Sequence, residues 1–245
     1  MFDPYAADLV ERVPATGETR VLEIACGTGI VTRPLRSALP ASATLVATDL
    51  NEAMVEYART AVPLAGISWQ TADAQELPFP DASFDVVVCQ FGIMFLPDPA
   101  RGFYEAHRVL APGGMLLANA WHSLDENPAH RAIQDAVAAM FPDDPPRFLA
   151  TPYGYHDRSR ILADAAAGGF TDVRLDEVRL QGHGSSALDF VTGFVRGSPL
   201  THELTQRGAD LDSVAREVSE AVARVGGTAP VTLDLAATVI TAVRA

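Results

Sequence analysis

Val21-Leu22-Glu23-Ile24-Ala25-Cys26-Gly27-Thr28-Gly29-Ile30-Val31-Thr32-Arg33 decides how the rest of this chain is read. The apolar run from Val21 to Ala25 has the length and composition of a strand buried on both faces. It stops at Cys26-Gly27-Thr28-Gly29, and an amphipathic segment through Leu39 follows as a helix. Two glycines between strand and helix let the backbone turn sharply and let a ligand lie against bare main chain. The N–H groups at the start of that helix favour a negatively charged part of the ligand. The dinucleotide fingerprint needs a third glycine where this chain has Thr32. Glu23 is the unusual letter, because a carboxylate among apolar neighbours must be hydrogen-bonded or paired. It either anchors backbone amides or positions a ligand that carries positive charge.

Thr44 to Thr48 reads as a second buried strand. It ends in Asp49-Leu50-Asn51, and the following helix, Glu52 to Ala61, carries Met54, Val55 and Ala58 on one face. Asp49 lies 20 residues after Gly29, the distance at which nucleotide-binding sheets place a carboxylate on ribose hydroxyls. Its alternative is a cap on the next helix. A third strand, Ile67 to Thr71, leads into Ala72-Asp73-Ala74. Then Leu77-Pro78-Phe79-Pro80-Asp81-Ala82-Ser83-Phe84-Asp85 runs into a fourth, ending Val88-Cys89-Gln90. Phe91 to Leu96 is apolar beyond what a loop requires, at the strand end where open α/β sheets bind ligands. Phe91 and Met94 are the expected contacts there. A helix from Asp98 to Leu110, capped by Asp98, turns through Pro112-Gly113-Gly114 into a fifth strand, Met115 to Trp121. His107 on that helix is expected in solvent.

Together these strings resemble the class I S-adenosylmethionine-dependent methyltransferases, in particular the UbiE-like small-molecule group (methyltransferase type 11). E-x-A-C-G-T-G is similar to their motif I, with Ala25 at its first glycine. The Asp73 to Val86 pattern, D-A-x-x-L-P-F-x-D-x-S-F-D-V, and the Arg108 string R-V-L-x-P-G-G-x-L-L are similar to later family strings. The resemblance implies a Rossmann-like, seven-stranded, mostly parallel sheet with an antiparallel last strand, helices on both faces and helical lid insertions. It implies S-adenosyl-L-methionine as cofactor. Glu23, Ala25, Cys26, Gly27 and Gly29 would form the turn beneath it, with Asp49 on the ribose and Leu50 and Met54 beside it. Asp73 and the Ala74 amide would read the adenine; the Gln90 carbonyl would hold the ammonium, next to Phe91.

Outside these motifs the reading is coarser. Phe2 to Arg12 forms a short helix with Asp3 as cap and Pro4 in the first turn; its abrupt start leaves room for a preceding N-terminal piece. Helices are expected over Ala129–Met140, Arg158–Ala167, Ala187–Val195 and Leu211–Val225, the last two separated by Gly197-Ser198-Pro199. A sixth strand spans Val173–Leu180, and a final one, 231–244, lies antiparallel beside it. The expected organisation is one methyltransferase domain over 1–245, with a cofactor core at 20–121 and lid or substrate insertions at 122–157 and 183–230. Aromatic residues of the insertions point to an apolar or aromatic small-molecule acceptor, touched by Tyr5, Met94, His122, Tyr153 and Phe194. In-line transfer to oxygen or carbon both fit. Where the acceptor must lose a proton, His122, directly after the fifth strand, is the expected base, followed by His156, His183 and Tyr153.

The net charge of −13 argues against nucleic acid, whose phosphates need a basic surface. All 18 cationic side chains are arginine. No apolar run is long enough to span a membrane. The isolated Cys26 and Cys89 make no metal constellation and suit the reducing cytoplasm. Oligomeric state is not legible, and a homodimer is allowed. Two rivals share parts of the pattern. An NAD(P)-dependent oxidoreductase would share the glycine turn and Asp49 but is disfavoured by Thr32. A non-catalytic S-adenosylmethionine-binding protein would share the whole cofactor site.

Overall fold

Buried, β-branched stretches spaced by helices assemble as parallel strands, because each crossover must return over a face of the sheet. In the computed structural model, which describes residues 1–14 and 16–245, those strands are β1 (Arg20–Glu23), β2 (Thr44–Asp49), β3 (Ile67–Thr71), β4 (Phe84–Gln90) and β5 (Leu110–Trp121). With β6 (Asp172–Gly184) and β7 (Val231–Val243) they form one sheet in the order β3-β2-β1-β4-β5-β7-β6. The first five pair in parallel. β7 is antiparallel to β5, from Met115 opposite Val243 to Trp121 opposite Ala237. The last strand therefore lies between β5 and β6. After β3 the chain crosses to the other side of β1, which makes the β1–β4 junction the point where strand order reverses.

The chain divides into two compact units, one of residues Phe2–Trp121, Tyr155–Val178 and Ala237–Ala245, the other of Met1, His122–Gly154 and Arg179–Ala236. In the first unit α1 (Asp3–Arg12) and α2 (Thr32–Ala38) bury Ala6, Leu9, Leu35 and Leu39 against Val21, Leu45, Val86, Val88 and Leu117. A fully buried leucine stabilises by about 1.5–3 kcal/mol relative to an exposed one. The same unit holds α3 (Glu52–Ala61), α4 (Pro99–Val109) and α6 (Arg158–Ala167). Asn51 caps α3 by accepting from the Ala53 amide, and Asp98 caps α4 by accepting from Arg101. Asp3 does not cap α1: it is the helix's first residue, the capping position is Phe2, with no side-chain bond, and Pro4 comes second. His107 is not in open solvent either. It is half-buried, with its ring 5.0 Å from that of Phe170.

β5 starts five residues before the expected Met115 because Leu110 already pairs with Phe84; the Pro112-Gly113-Gly114 bulge shifts the register before Val86 meets Met115. A Cβ on Gly114 would come within 2.9 Å of the carbonyl oxygens of Ala111 and Asp85, so only glycine fits. Asp85 in turn accepts from the Arg20 amide at 2.8 Å and pairs with its guanidinium.

The second unit holds α5 (Pro128–Met140), α7 (Ala187–Gly197), α8 (Leu200–Gln206) and α9 (Leu211–Gly226). Val214, Val218 and Val222, spaced four residues apart, form the stripe that α9 buries. The sequence reading missed α8, taking Gly197-Ser198-Pro199 as a spacer. Pro199 instead starts a helix, as proline does readily, and Leu200 and Leu204 bury its inner face. Asn127 is fully engaged: its amide donates to the carbonyls of Ser123 and Ala236, and its oxygen accepts from the Ala236 amide. No helix among the described residues is long and apolar enough to cross a membrane.

Candidate cofactor site at the strand switch point

The turn after β1 is held from both sides. Ile24 donates to the Val88 carbonyl and Cys26 to that of Thr48, each at 2.9 Å. Ala25, Gly27 and Gly29 all adopt positive φ, at 54°, 53° and 83°. Only the two glycines do so without cost, and Ala25 carries a side chain where backbone strain is expected. A Cβ on Gly29 would strike the Val62 side chain at 2.7 Å, whereas one on Gly27 would project into open space. Gly29 is thus required by packing, and Gly27 leaves bare backbone facing outward. Beside it, Thr28, Gly29, Ile30, Arg33 and Pro34 line a cleft of about 440 Å³ together with Asp3, Ala6 and Ala7 of α1.

Asp49 ends β2 and ties this turn down. One carboxylate oxygen accepts from the Gly27 amide and the other from the Asn51 amide, both at 2.9 Å. Each oxygen keeps a second acceptor direction. Asn51, two residues on, does the capping. Leu50, next to Asp49, is 69% exposed, and Met54, in the first turn of α3, is 39% exposed. Asp73, after β3, takes the Gln75 amide on one oxygen at 2.8 Å, and Ala74 is buried behind it.

Glu23 is buried, and its Oε2 has no hydrogen-bond partner among the described residues. Burial pushes the Glu23 carboxyl up to about 8, Thr32 offsetting this a little and the Asp49 charge adding to it. Burial likewise raises the thiols, Cys89 to about 12 and Cys26 further, so neither is a nucleophile. At the end of β4, the Gln90 amide nitrogen donates to the Phe2 carbonyl at 3.2 Å, while its Oε1 is buried with no partner among the described residues.

Phe91 follows with φ 51°, a left-handed conformation rare for an aromatic residue. Asn119 holds it there: the Phe91 amide donates to the Asn119 side-chain oxygen at 2.9 Å and to its carbonyl at 3.2 Å. The Phe91 ring stacks on Trp121 at 3.7 Å, and Tyr5 sits edge-on to both at 5.3 Å. Phe2 completes the group at 5.7 and 6.1 Å. Tyr5 is fully buried and its hydroxyl donates to the Val178 carbonyl. Met94 is buried in the single turn Ile93–Phe95. Asn119 and Trp121 were not singled out from sequence, although Asn119 is the one polar residue inside the apolar run of β5.

Of the remaining residues expected to act, His156 belongs to the first unit and the others to the second. His122 is buried with its Nδ1 2.6 Å from Glu126, whose other oxygen accepts from Arg179 at 2.6 Å. His122, then Arg179, holds the Glu126 carboxyl below its ordinary range. A carboxylate on Nδ1 places the ring proton there. Tyr153 and Phe194 come together, each against His130, at 5.3 and 5.5 Å between rings. His156 is exposed, and His183 is exposed beside the Thr232 hydroxyl.

A parallel sheet that reverses order beside a glycine turn, with carboxylates after two successive strands, defines a Rossmann-like ligand-binding fold. Residues 22–118 match the family model described as a methyltransferase domain, and the chain carries a class I S-adenosylmethionine-dependent methyltransferase domain of the UbiE-like type. It is 36% identical to the malonyl-[acyl-carrier protein] O-methyltransferase of Hahella chejuensis over 43% of this chain and 42% of that protein. It is 37% identical to the ubiquinone/menaquinone biosynthesis C-methyltransferase UbiE of a Geobacter species (strain M21) over 44% of this chain and 48% of that one. The chain thus spans less than half the length of each of these relatives. In fold it is similar to the YcgJ protein of Bacillus subtilis, with TM-score 0.63 and 18% identity over 98% of this chain and 97% of that one.

Proposed function

We propose that this chain binds S-adenosylmethionine at the β1–β4 switch point and transfers its methyl group to an apolar or aromatic small molecule. The observation that carries the reading is a set of groups left over at one place. Backbone is bare at Gly27, Glu23 Oε2 and Gln90 Oε1 are buried without partners among the described residues, and Leu50 and Met54 are left in water. Buried polar atoms without partners are costly, and a ligand with a charged end, a sugar and a flat apolar base would engage all of them.

The residues fit that cofactor in order along the sheet. Gly27 and Gly29 give the turn, Asp49 the ribose contact, and Leu50 and Met54 the flank of the base. Asp73 and Ala74 would read its edge, and Glu23 with the Gln90 carbonyl would receive the ammonium. When bound, the cofactor supplies a methyl group on a cationic sulfur that leaves readily. The chain's own task is then to position and desolvate. Packed aromatic rings at Phe2, Tyr5, Phe91 and Trp121 exclude water beside Gln90. His122, with its Nδ1 proton held by Glu126, is suited to accept an acceptor proton on Nε2.

We assign the acceptor to the segments 122–157 and 183–230, as insertions in a single methyltransferase domain closed by strand 231–244. The two relatives named above methylate oxygen in one case and carbon in the other, and both outcomes suit a phenolic or quinol-type acceptor. The acidic surface disfavours nucleic acid, and the two free, buried thiols suit the cytoplasm. Titration calorimetry with S-adenosylhomocysteine and with NAD tests the reading. Micromolar binding of the first and none of the second is expected; the reverse would replace it with the oxidoreductase.

A further inference from the structure

His130, on α5, is a fully buried histidine that the cofactor site does not use. It stands inside a group of rings: Tyr153 at 5.3 Å, Phe194 at 5.5 Å and Phe190 at 5.8 Å, the last edge-on at 84°. Phe148 extends the group beyond Phe194 at 6.5 Å. Tyr153 is buried, but Phe148, Phe190 and Phe194 are only half-buried, so these three rings keep apolar surface that packing does not cover. Burial, with the positive first amino group adding, lowers the His130 pKa to about 3. The ring is therefore neutral at any working pH and offers one donor and one acceptor nitrogen.

His130 Nε2 lies 3.0 Å from the Met1 thioether. Sulfur in a thioether is a weak acceptor, and a buried imidazole gains by exchanging it for oxygen. A ring of phenylalanines around one neutral polar group has the make-up of a small-molecule pocket: apolar walls for a flat ring and a single convergent contact for orientation. We propose that the His130 cluster is the acceptor-recognition site, where a planar aromatic lies among Tyr153, Phe190 and Phe194. Its phenolic or quinol oxygen hydrogen-bonds His130 Nε2 in place of Met1. This rests on the aromatic-acceptor reading above and adds the residue that reads the oxygen.

The experiment compares 1-naphthol with 1-methylnaphthalene, which match in shape and differ in the oxygen. Their dissociation constants are measured by ligand-observed NMR on the full chain, alone and with S-adenosylhomocysteine. Unaltered protein is expected to prefer 1-naphthol by about tenfold, the value of one buried hydrogen bond. In H130F that preference disappears while 1-methylnaphthalene binds as before; in H130Q, which keeps a polar group, part of it survives. Equal binding of the two by the unaltered chain, binding of neither, or a preference that persists in H130F would overturn the proposal. If H130F does not fold, the unaltered chain and H130Q decide alone, an undiminished preference in H130Q counting against it. Calorimetry with S-adenosylhomocysteine on the same samples separates the two readings. Its failure in the unaltered chain removes the methyltransferase reading, whereas normal cofactor binding without naphthol preference removes only the role of His130.

Discussion

Two stretches carry the family's letters most densely, and they use them in opposite ways. In Leu77–Asp85 nearly every polar group has a protein partner. Arg108 donates to the carbonyls of Leu77 and Phe79 and pairs with Asp81 and Glu105. Glu105 accepts from the Leu77 amide, Ser83 donates to the Pro80 carbonyl, and Asp85 is taken by Arg20. At the switch point the count comes out the other way: among the described residues, Glu23 Oε2 and Gln90 Oε1 have no hydrogen-bond partner. A motif letter can therefore belong to the scaffold or to the ligand. Which it is shows in whether the protein itself satisfies the group.

Substitution at Arg108 should give the largest effect, and it should fall on stability. Glu105 is nearly fully buried, and burial alone would raise its pKa; Arg108, with the Leu77 amide and Arg101, holds it below the ordinary range instead. Removing the main partner of a buried carboxylate costs about 3 kcal/mol or more. Arg108→Met should lower the free energy of urea unfolding by that amount while S-adenosylhomocysteine affinity of the folded protein stays within threefold. The lowered Glu105 pKa means that its contribution is present above the unfolded carboxylate pKa and lost as pH falls through the folded value. The difference between Arg108→Met and the unaltered chain should therefore shrink in acid. A variant that folds normally but cannot bind cofactor would merge the two stretches into one site.

Asp49 is the converse case. Its two oxygens already take the Gly27 and Asn51 amides, so the residue shapes the turn whether or not it touches a ribose. Asp49→Ala should weaken S-adenosylhomocysteine binding by about 1–3 kcal/mol, the loss of charge-assisted hydrogen bonds, with a smaller effect on unfolding. Unchanged affinity in calorimetry would make Asp49 scaffold and erase the distinction at its clearest point.

Much of this was legible because the first unit is built from local patterns. Two-sided apolar runs marked β1, β2 and β4, glycines marked positive φ, and Asp98 marked the start of α4. What could not be read depended on contacts distant in sequence. Asn119 matters because it meets Phe91, 28 positions away. The start of β5 moved because Leu110 pairs with Phe84 across a bulge. Arg108 looked like part of a turn string, and only the fold shows the carbonyls it gathers. The second unit has no such strings, so His130 passed as an ordinary helix residue until the rings around it were in place.

Glu23 sharpens the comparison through pH. With its folded-state pKa raised from 4.5 to about 8, the folded protein keeps a proton that the unfolded chain gives up near 4.5. Cofactor-free stability should therefore decline as pH rises from about 4.5 towards 8, and Glu23→Gln should flatten that decline. If the carboxylate receives the cofactor's ammonium, binding must expel the proton. Calorimetry at pH 6.5 in buffers of different ionisation enthalpy should then show close to one proton released by the unaltered chain and none by Glu23→Gln. An enthalpy that does not depend on buffer would leave Glu23 to the scaffold.

The smallest effect is expected at Leu50, and it separates the alternatives cleanly. A leucine 69% exposed beside Asp49 contributes little to folding, so Leu50→Ala should leave unfolding within about 0.5 kcal/mol of the unaltered chain. Covering part of that side chain with an adenosine removes on the order of 40 Å² of apolar surface from water, about 1 kcal/mol at 25 cal/mol per Å². S-adenosylhomocysteine should bind Leu50→Ala roughly fivefold more weakly, with no change in pH dependence. Exposed leucines placed singly are common and carry no meaning, and an affinity that does not move would put Leu50 among them. A loss of affinity without loss of stability is the signature of a group that the protein leaves unsatisfied for a ligand, and no scaffold residue of the Leu77–Asp85 stretch should show it.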